Sequence, residues 1–124
     1  MTLPAIDATT CVVRDTAAHR GRHISVQPGT TAARHLHYGR IVLEGESLSF
    51  NTEDRETALI CLGGSATVNS ITLQKYDAFY LPRNTEVTVS GTCDLAEVAA
   101  PVEGDYPIQL VRFADVQNDP DLLI

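Results

Sequence analysis

Two histidines of the segment RHLHYGR have a spacing that metal sites use. His35 and His37 stand two residues apart, and on a β-strand residues at that spacing project from the same face. Two neutral imidazoles on one face can contribute to a site for a divalent metal. The sequence offers no third ligand at a predictable position, so the competing and preferred interpretation is a pair of surface or core-edge histidines.

A second group of polar residues suits a sugar acid. Tyr38, Tyr80, Arg83 and Lys75 are candidates to line the mouth of a β-barrel and to hydrogen-bond a sugar acid, and Glu53 joins them as a candidate ligand-binding residue. The arginine offers a two-pronged donor for a carboxylate, and the tyrosines offer walls that are apolar on their faces and polar at their tips. Strand edges and turns also place such side chains on a surface without any ligand. Sugar-acid binding and an ordinary solvated surface both remain open.

Other catalytic patterns are missing from the sequence. It contains no Ser/His/Asp series, no glycine loop of the phosphate-binding kind and no Cys/His pair at a recognisable spacing. Cys11, Cys61 and Cys93 are odd in number and lack CxxC spacing, so we interpret them as reduced thiols rather than a disulfide or zinc framework. We expect no cofactor and a cytoplasmic location.

The charge balance narrows the class of partner. Sixteen acidic residues against nine lysines and arginines give a formal net charge of −7, whereas nucleic acids and anionic membranes require a basic face. The first residues lack a basic segment followed by an apolar one, and no apolar run approaches the roughly 20 residues that span a bilayer. We therefore expect neither nucleic acid nor a membrane as a partner.

The elements that must position these residues are predicted to be short β-strands. Runs rich in Val, Ile, Leu, Thr, Tyr and Phe alternate with turn residues, and no ten-residue stretch has helical periodicity. About ten such strands predict an all-β sandwich or jelly-roll barrel. The predicted strands are 23–26, 35–43, 48–51, 57–62, 66–68, 71–74, 78–81, 86–90, 95–99 and 108–113.

Two local patterns add detail to this prediction. Asn69-Ser70 falls where a two-residue hairpin turn belongs. The strand TALICL is apolar at successive positions, which predicts that both of its faces are covered. A homodimer or a second layer of the same chain would supply the second cover. We expect one domain over residues 1–124, with about 1–20 forming a loose or partner-contacting segment.

The segment GESLSFNTEDRETALICLGG resembles the first motif of the cupin superfamily. That motif runs G, five residues, HxH, three or four residues, E, six residues, G. Counted from Gly45, its histidine positions fall on Asn51 and Glu53. Its glutamate position falls on Thr57 or, with one residue deleted, on Glu56. The resemblance implies a single cupin-type β-barrel, a double-stranded β-helix of the jelly-roll kind.

The second cupin motif is also degenerate. In YDAFYLPRNTEVTVSG the motif's proline is kept as Pro82, but the third histidine position is Val87. All three imidazole ligands are therefore missing. A first-row divalent ion in such a site relies on several imidazoles converging with a carboxylate. We consequently predict a barrel that binds no metal.

A closer resemblance covers most of the chain, from about His23 to Val116. The chain resembles the amino-terminal half of the two-cupin isomerase family that contains 5-deoxy-glucuronate isomerase and, more distantly, 5-keto-4-deoxyuronate isomerase. The resemblance implies that the catalytic metal belongs to the carboxyl-terminal half, so no residue here inherits a catalytic role. The matching stretches are YGRIVLEGESLSF, ETALICLGGSATV, YDAFYLPRNTEVTVSG, AEVAAPVE and YPIQLVRFADV.

Three hypotheses follow from these observations. The first is a metal-free, non-catalytic cupin module that serves as a scaffold or as a sugar-acid-binding or regulatory subunit in carbohydrate catabolism. The second is an aldose-ketose isomerase of uronates, whose metal comes from a separate cupin chain or from a dimer interface built from His35 and His37. The third is that this chain is a piece of a longer enzyme.

Overall fold

The protein is described here by a computed structural model that places residues 15, 19–29, 34–118 and 121. Most of these residues lie in antiparallel β-strands and only four lie in a helix, which confirms the all-β prediction. The predicted segment 1–20 lies almost wholly outside the described residues. The elements are β1 (Gly21–Val26), β2 (His37–Asn51), β3 (Arg55–Val68), β4 (Ile71–Leu73), β5 (Ala78–Leu81), β6 (Glu86–Pro101), β7 (Gln109–Val111) and the short helix α1 (Phe113–Val116).

The described strands form one sheet around a long central strand. Their order is β1-β2-β6-β3-β5-β7, and β4 pairs with the far end of β3. β6 is paired on both sides, with β2 from residue 86 to 99 and with β3 from residue 89 to 101. No pairing among the described strands joins β1 to β7, so hydrogen bonds do not close this sheet into the predicted barrel.

Three pairs of predicted strands are continuous in the structure. Residues 35–43 and 48–51 were expected to be separate strands, but they belong to one strand, β2, which begins only at His37. In the same way β3 unites the predicted strands 57–62 and 66–68, and β6 unites 86–90 and 95–99. The prediction was wrong because glycines interpreted as turns lie inside strands. Gly45, Gly64 and Gly91 have φ of 91°, 70° and 120°, values that glycine adopts readily.

The long strands bend where β2 and β3 each carry one extra residue opposite β6. Glu44 to Ser47 lies opposite Thr92 to Ser90, and Cys61 to Gly63 lies opposite Leu95 to Asp94. A bulge of this kind bends its strand and exchanges the faces that alternate residues occupy. Gly64 is required at one bend, because a Cβ there would lie 2.2 Å from the carbonyl oxygen of Thr92.

The exchange of faces keeps one apolar face inside along the whole sheet. In β3 the buried positions are odd-numbered up to Cys61 and even-numbered from Ala66 onward. Both ends of the long strands contribute to one core cluster, so the sheet curls around a single interior. The cluster contains Ile41, Leu43, Leu59, Cys61, Ala66, Val68, Leu73, Phe79, Leu81, Val87, Val89, Cys93 and Leu95.

The hairpin prediction is confirmed. Val68 pairs with Ile71, and the two connecting residues, Asn69 and Ser70, have φ of 46° and 71°. Positive φ at both positions is the geometry of a type I′ turn, whose twist matches that of paired strands. The Asn69 side chain strengthens the turn by accepting a hydrogen bond from Thr88 N at 2.8 Å.

The expectation for TALICL is only half right. Thr57, Leu59 and Cys61 are buried, but Ala58, Ile60 and Leu62 on the outer face are only half-buried. Within the described part of the chain, no helix is long and apolar enough to cross a membrane.

Candidate functional site

A tyrosine and a glutamate from adjacent strands form the centre of the candidate site. Tyr80 on β5 lies opposite Ala58 of β3, and Glu56 is two residues before Ala58 on the same face. The Tyr80 hydroxyl donates to Glu56 Oε2 at 2.7 Å. Burial, followed by the hydrogen bond and the negative charge of Glu56, raises the pKa of Tyr80 to about 12. The phenol therefore stays protonated and remains a donor at neutral pH.

This pair lies in an open surface cavity of about 450 Å³ lined by Glu56, Tyr80, Val102, Tyr106 and Gln109. That volume is within the range of sites for small molecules. Tyr106 is 54% exposed, so its ring is available as a wall for a ligand. A carboxylate, two phenols and an amide around an aromatic face match the hydroxyl groups and the apolar ring faces of a sugar.

Arg83 lies at the edge of this cavity. Its Nη1 donates to the carbonyl oxygen of Val102 at 3.3 Å, and its Nε donates to Asp105 Oδ1 at 2.8 Å. The hydrogen bond to Asp105 raises the pKa of Arg83, so the guanidinium is permanently charged. Tyr80 and Arg83, two of the predicted ligand-binding residues, thus come together with Glu56, one of the degenerate cupin positions.

Three other predicted ligand-binding residues lie elsewhere. Tyr38 shares the outer face with Tyr80, but β6 and β3 lie between their strands, a separation of about 14 Å at ordinary strand spacing. Glu53 lies in the turn after β2, where its carboxylate is 3.5 Å from Arg55 Nη2. Lys75 lies in the turn before β5, with its Nζ 5.0 Å from the centre of the Tyr76 ring.

The degenerate cupin positions do not converge on a common point. Asn51 is exposed and accepts a hydrogen bond from Glu53 N at 2.8 Å. Glu53 itself is exposed, whereas Thr57 is only 2% exposed and Val87 is fully buried in the core. Glu56 points outward to Tyr80. These positions therefore divide between a surface turn, the outer face and the interior.

The two histidines do not lie on one strand. His35 is exposed and precedes β2, which begins at His37, so the assumption that one strand carries both was wrong. Arg55 Nη1 lies 3.1 Å from His37 Nδ1. Burial, and then the positive charge of Arg55, lowers the pKa of His37, so the imidazole is neutral and accepts this hydrogen bond.

The interior holds an ion pair that the sequence analysis missed. Glu97 on β6 has a side chain that is 3% exposed, and its two oxygens accept hydrogen bonds from Arg22 Nε and Nη2, both at 2.7 Å. The Arg22 guanidinium also lies 3.9 Å from the centre of the Phe50 ring. A lone charge within the apolar run LAEVAA was the available clue to Glu97, because such charges are usually paired when buried.

The donor set does not fit the ion that the cupin resemblance implies for a catalytic barrel. No group of three or more His, Cys, Asp or Glu side chains in the described ranges is placed to hold an ion. Two carboxylates are buried in those ranges, Asp77 and Glu97, and each is already bound by an arginine. We derive no chemical step through a metal from these residues.

Comparisons with known proteins give the family. A model of the KduI/IolB family matches residues 11–120. No curated protein matches the chain. Among solved structures, an IolB-like protein from Salmonella typhimurium LT2 is similar with a TM-score of 0.63 and 21% identity, over 76% of this chain and 42% of that chain. At this identity the likeness shows the fold alone, and the chain spans less than half the length of that relative. The chain belongs to the KduI/IolB family, a cupin-fold family of the 5-keto-4-deoxyuronate isomerase type, which confirms the resemblance seen in the sequence.

Proposed function

We propose that this chain is a metal-free, non-catalytic cupin module that binds a sugar acid, as a scaffold or regulatory subunit in carbohydrate catabolism. The observation that carries the proposal is the interior ion pair of Arg22 and Glu97. In this proposal the sheet curls as a cupin-type barrel. The guanidinium of Arg22 binds the interior carboxylate of Glu97, which a metal in the barrel would need as a ligand.

Electrostatics supports the metal-free part of the proposal. An arginine side chain remains protonated at every pH at which proteins are folded. A change of pH therefore does not deprotonate Arg22 and release Glu97. A divalent cation near Glu97 would meet the repulsion of this guanidinium in a poorly solvated interior. Thr57 and Val87 stand at two of the metal-ligand positions of the cupin motifs and pack in the same interior. Neither side chain offers a strong ligand atom for a metal.

The cavity supports the sugar-acid part of the proposal. Glu56, Tyr80 and Gln109 would bind hydroxyl groups, and the ring of Tyr106 would stack on an apolar face of the sugar. Glu56 repels a carboxylate, whereas Arg83 at the edge attracts one. A uronate would therefore bind with its carboxylate toward Arg83 and its hydroxyls toward Glu56.

Isothermal titration with uronates and with the corresponding neutral sugars tests this assignment. We expect binding in the millimolar range or tighter, with the uronate preferred because of Arg83. Tyr80→Phe removes one hydroxyl and should weaken binding about fivefold to tenfold, the usual effect of one hydrogen bond.

Tyr76→Phe is the matched control, because Tyr76 packs edge-on against Phe113 and does not line the cavity. It should leave the affinity unchanged. No heat with any uronate at millimolar concentration would refute the sugar-acid assignment, and equal weakening by both substitutions would place the ligand elsewhere.

Elemental analysis of the purified protein tests the metal-free assignment separately. We expect zinc, manganese, iron and nickel each far below one atom per chain, before and after incubation with the ion and washing. Stoichiometric metal that disappears in a His35→Ala, His37→Ala double variant would contradict the proposal and support a metal-dependent enzyme.

That enzyme is the alternative proposal, and one observation favours it. The chain spans 42% of the IolB-like relative, so a uronate isomerase could be completed by a separate metal-binding cupin chain or by a second copy. Such an enzyme would interconvert aldose and ketose forms by moving a proton between adjacent carbons. Isomerase activity that appears only on mixing with a second cupin chain would establish it.

A cytoplasmic location is part of the proposal and is supported by the cysteines. Cys61 and Cys93 are both buried and free. Burial raises the pKa of the Cys61 thiol and raises that of Cys93 to about 11. Thiols with such pKa values are unreactive at neutral pH, as expected of small core residues rather than redox groups.

A further inference from the structure

The loop between β6 and β7 forms one wall of the ligand cavity and also contacts the arginine at its edge. Val102 and Tyr106 of this loop line the cavity. Asp105, which precedes Tyr106, accepts a hydrogen bond from Arg83 Nε at 2.8 Å. The guanidinium that would attract the carboxylate of a ligand is therefore already paired with a carboxylate of the chain.

The contact with Asp105 occupies a donor that a second carboxylate would need. An arginine binds a carboxylate most strongly through two parallel N–H groups, and one of the two edges that offer such a pair includes Nε. On the other edge, Arg83 Nη1 donates to the carbonyl oxygen of Val102 at 3.3 Å. A ligand carboxylate must therefore displace Asp105 or lie beside its negative charge.

The ion pair between Arg83 and Asp105 is one that a ligand can exchange. The side chain of Asp105 is 73% exposed and that of Arg83 is 28% exposed, and ion pairs in contact with water contribute little to stability. Within the described part of the chain, residues 103–106 make no hydrogen bond between backbone groups. The loop can therefore release Asp105 from Arg83 without breaking a backbone hydrogen bond.

The charge of Asp105 also acts on the cavity itself. The hydrogen bond from Arg83, and then its positive charge, lowers the pKa of Asp105, so this side chain is a carboxylate at neutral pH. Burial and Glu56 are the main causes of the raised pKa of Tyr80, and Asp105 adds a smaller electrostatic contribution. Asp105 is thus close enough to repel an anion beside Tyr80, whereas a neutral sugar carries no charge to be repelled.

We propose that Asp105 is an internal competitor for Arg83, which a uronate has to displace and a neutral sugar does not. Asp105 partly cancels the attraction of Arg83 and so sets how strongly the cavity prefers uronates over neutral sugars. This inference rests on the proposed sugar-acid binding and deepens it, because it assigns a residue that limits the preference and that no sequence pattern selected.

Isothermal titration of Asp105→Asn with D-glucuronate and with D-glucose tests the proposal. The asparagine keeps the size of the side chain but removes its charge. We expect glucuronate to bind about twofold to fivefold more tightly than to the wild type, the effect of one solvent-exposed ion pair. The affinity for glucose should stay the same.

Glu103→Gln is the matched control for charge. Glu103 is an exposed residue of the same loop, and its charge acts on Arg83 through space without a hydrogen bond. The substitution removes the same unit of charge but leaves the contact with Asp105 in place, so it should tighten glucuronate binding by less than twofold. In a chain that also carries Arg83→Gln, Asp105→Asn should have no larger effect than this control.

Three results would overturn the proposal: glucuronate binding that Asp105→Asn leaves unchanged or weakens, equal tightening by Glu103→Gln, or a gain that persists undiminished with Arg83→Gln. This inference and the proposed function can be told apart. Wild-type binding of glucuronate without a gain in Asp105→Asn refutes the internal competitor alone. No heat from the wild type or any variant with any uronate refutes the sugar-acid site, and the internal competitor with it.

Discussion

Asp77 shows how much one buried carboxylate can organise. It is 3% exposed and accepts hydrogen bonds from Gln74 N at 2.8 Å, from Phe113 N at 2.9 Å and from Arg112 Nη1 at 2.9 Å. It thereby attaches helix α1 and the end of β7 to the turn before β5. Burial alone would raise its pKa, but the two backbone hydrogen bonds and the Arg112 guanidinium outweigh burial and lower the pKa.

This lowered pKa predicts how stability depends on pH. A carboxyl whose pKa is lower in the folded state stabilises the fold above its unfolded pKa, near 3.9, and loses that contribution as the pH falls through the folded pKa. Asp77→Asn should reduce the free energy of unfolding by about 1–3 kcal/mol at neutral pH, allowing for the partial exposure of Arg112. Thermal unfolding should show the difference from wild type shrinking in acid.

Asp115→Asn is the control for this experiment, because Asp115 lies on helix α1, which Asp77 holds in place, but is itself exposed. It should change the midpoint of unfolding little at any pH. A difference between wild type and Asp77→Asn that stays constant into strong acid would contradict the lowered pKa.

The strands themselves were largely predictable, but their continuity was not. Alternating β-branched and polar residues located most of the paired segments, and Asn69-Ser70 located a hairpin correctly. A glycine flanked by polar residues has the same composition in a turn and in a bulge. Gly45 and Gly64 were therefore interpreted as ends of strands, although the strands continue through them. A turn and a bulge differ in whether the residues around the glycine pair with β6, which is distant in sequence.

The Asn69-Ser70 turn offers a way to stabilise the protein. Ser70 has φ of 71°, a conformation that costs energy for a residue with a Cβ and little for glycine. Ser70→Gly should raise the free energy of unfolding by about 0.5–1 kcal/mol, visible as a higher midpoint of thermal unfolding. Ser47→Gly, in the extended strand β2, should lower the midpoint instead. A lower midpoint of unfolding for Ser70→Gly would contradict this prediction. It would mean that the serine side chain stabilises the fold by more than the glycine gains from relief of backbone strain.

For the molecule as a whole, the sequence predicted the fold class and the family but only part of the site. Tyr80 and Arg83 were selected by residue type and Glu56 only as a degenerate cupin position, whereas Tyr106 and Gln109 join them only because β7 returns to pair with β5. Arg22 was not selected at all, since its role depends on β1 lying two strands from β6 in the sheet, which brings Arg22 within hydrogen-bonding distance of Glu97. Periodicity identifies which face a residue occupies, but not which distant residue it meets there.

The double pairing of β6 has a consequence for how the protein opens. Nearly every residue of this 16-residue strand is hydrogen-bonded to a neighbour on one or both sides, and its partners are separated from it by tens of residues in sequence. Neither half of the sheet can come apart without breaking the ladder that also holds the other half. We therefore expect local fluctuations to be confined to the edges and the body of the sheet to melt as one cooperative unit. We also expect the long-range ladders to make folding slow, because distant segments must lose conformational entropy to meet before the hydrogen bonds between them can form.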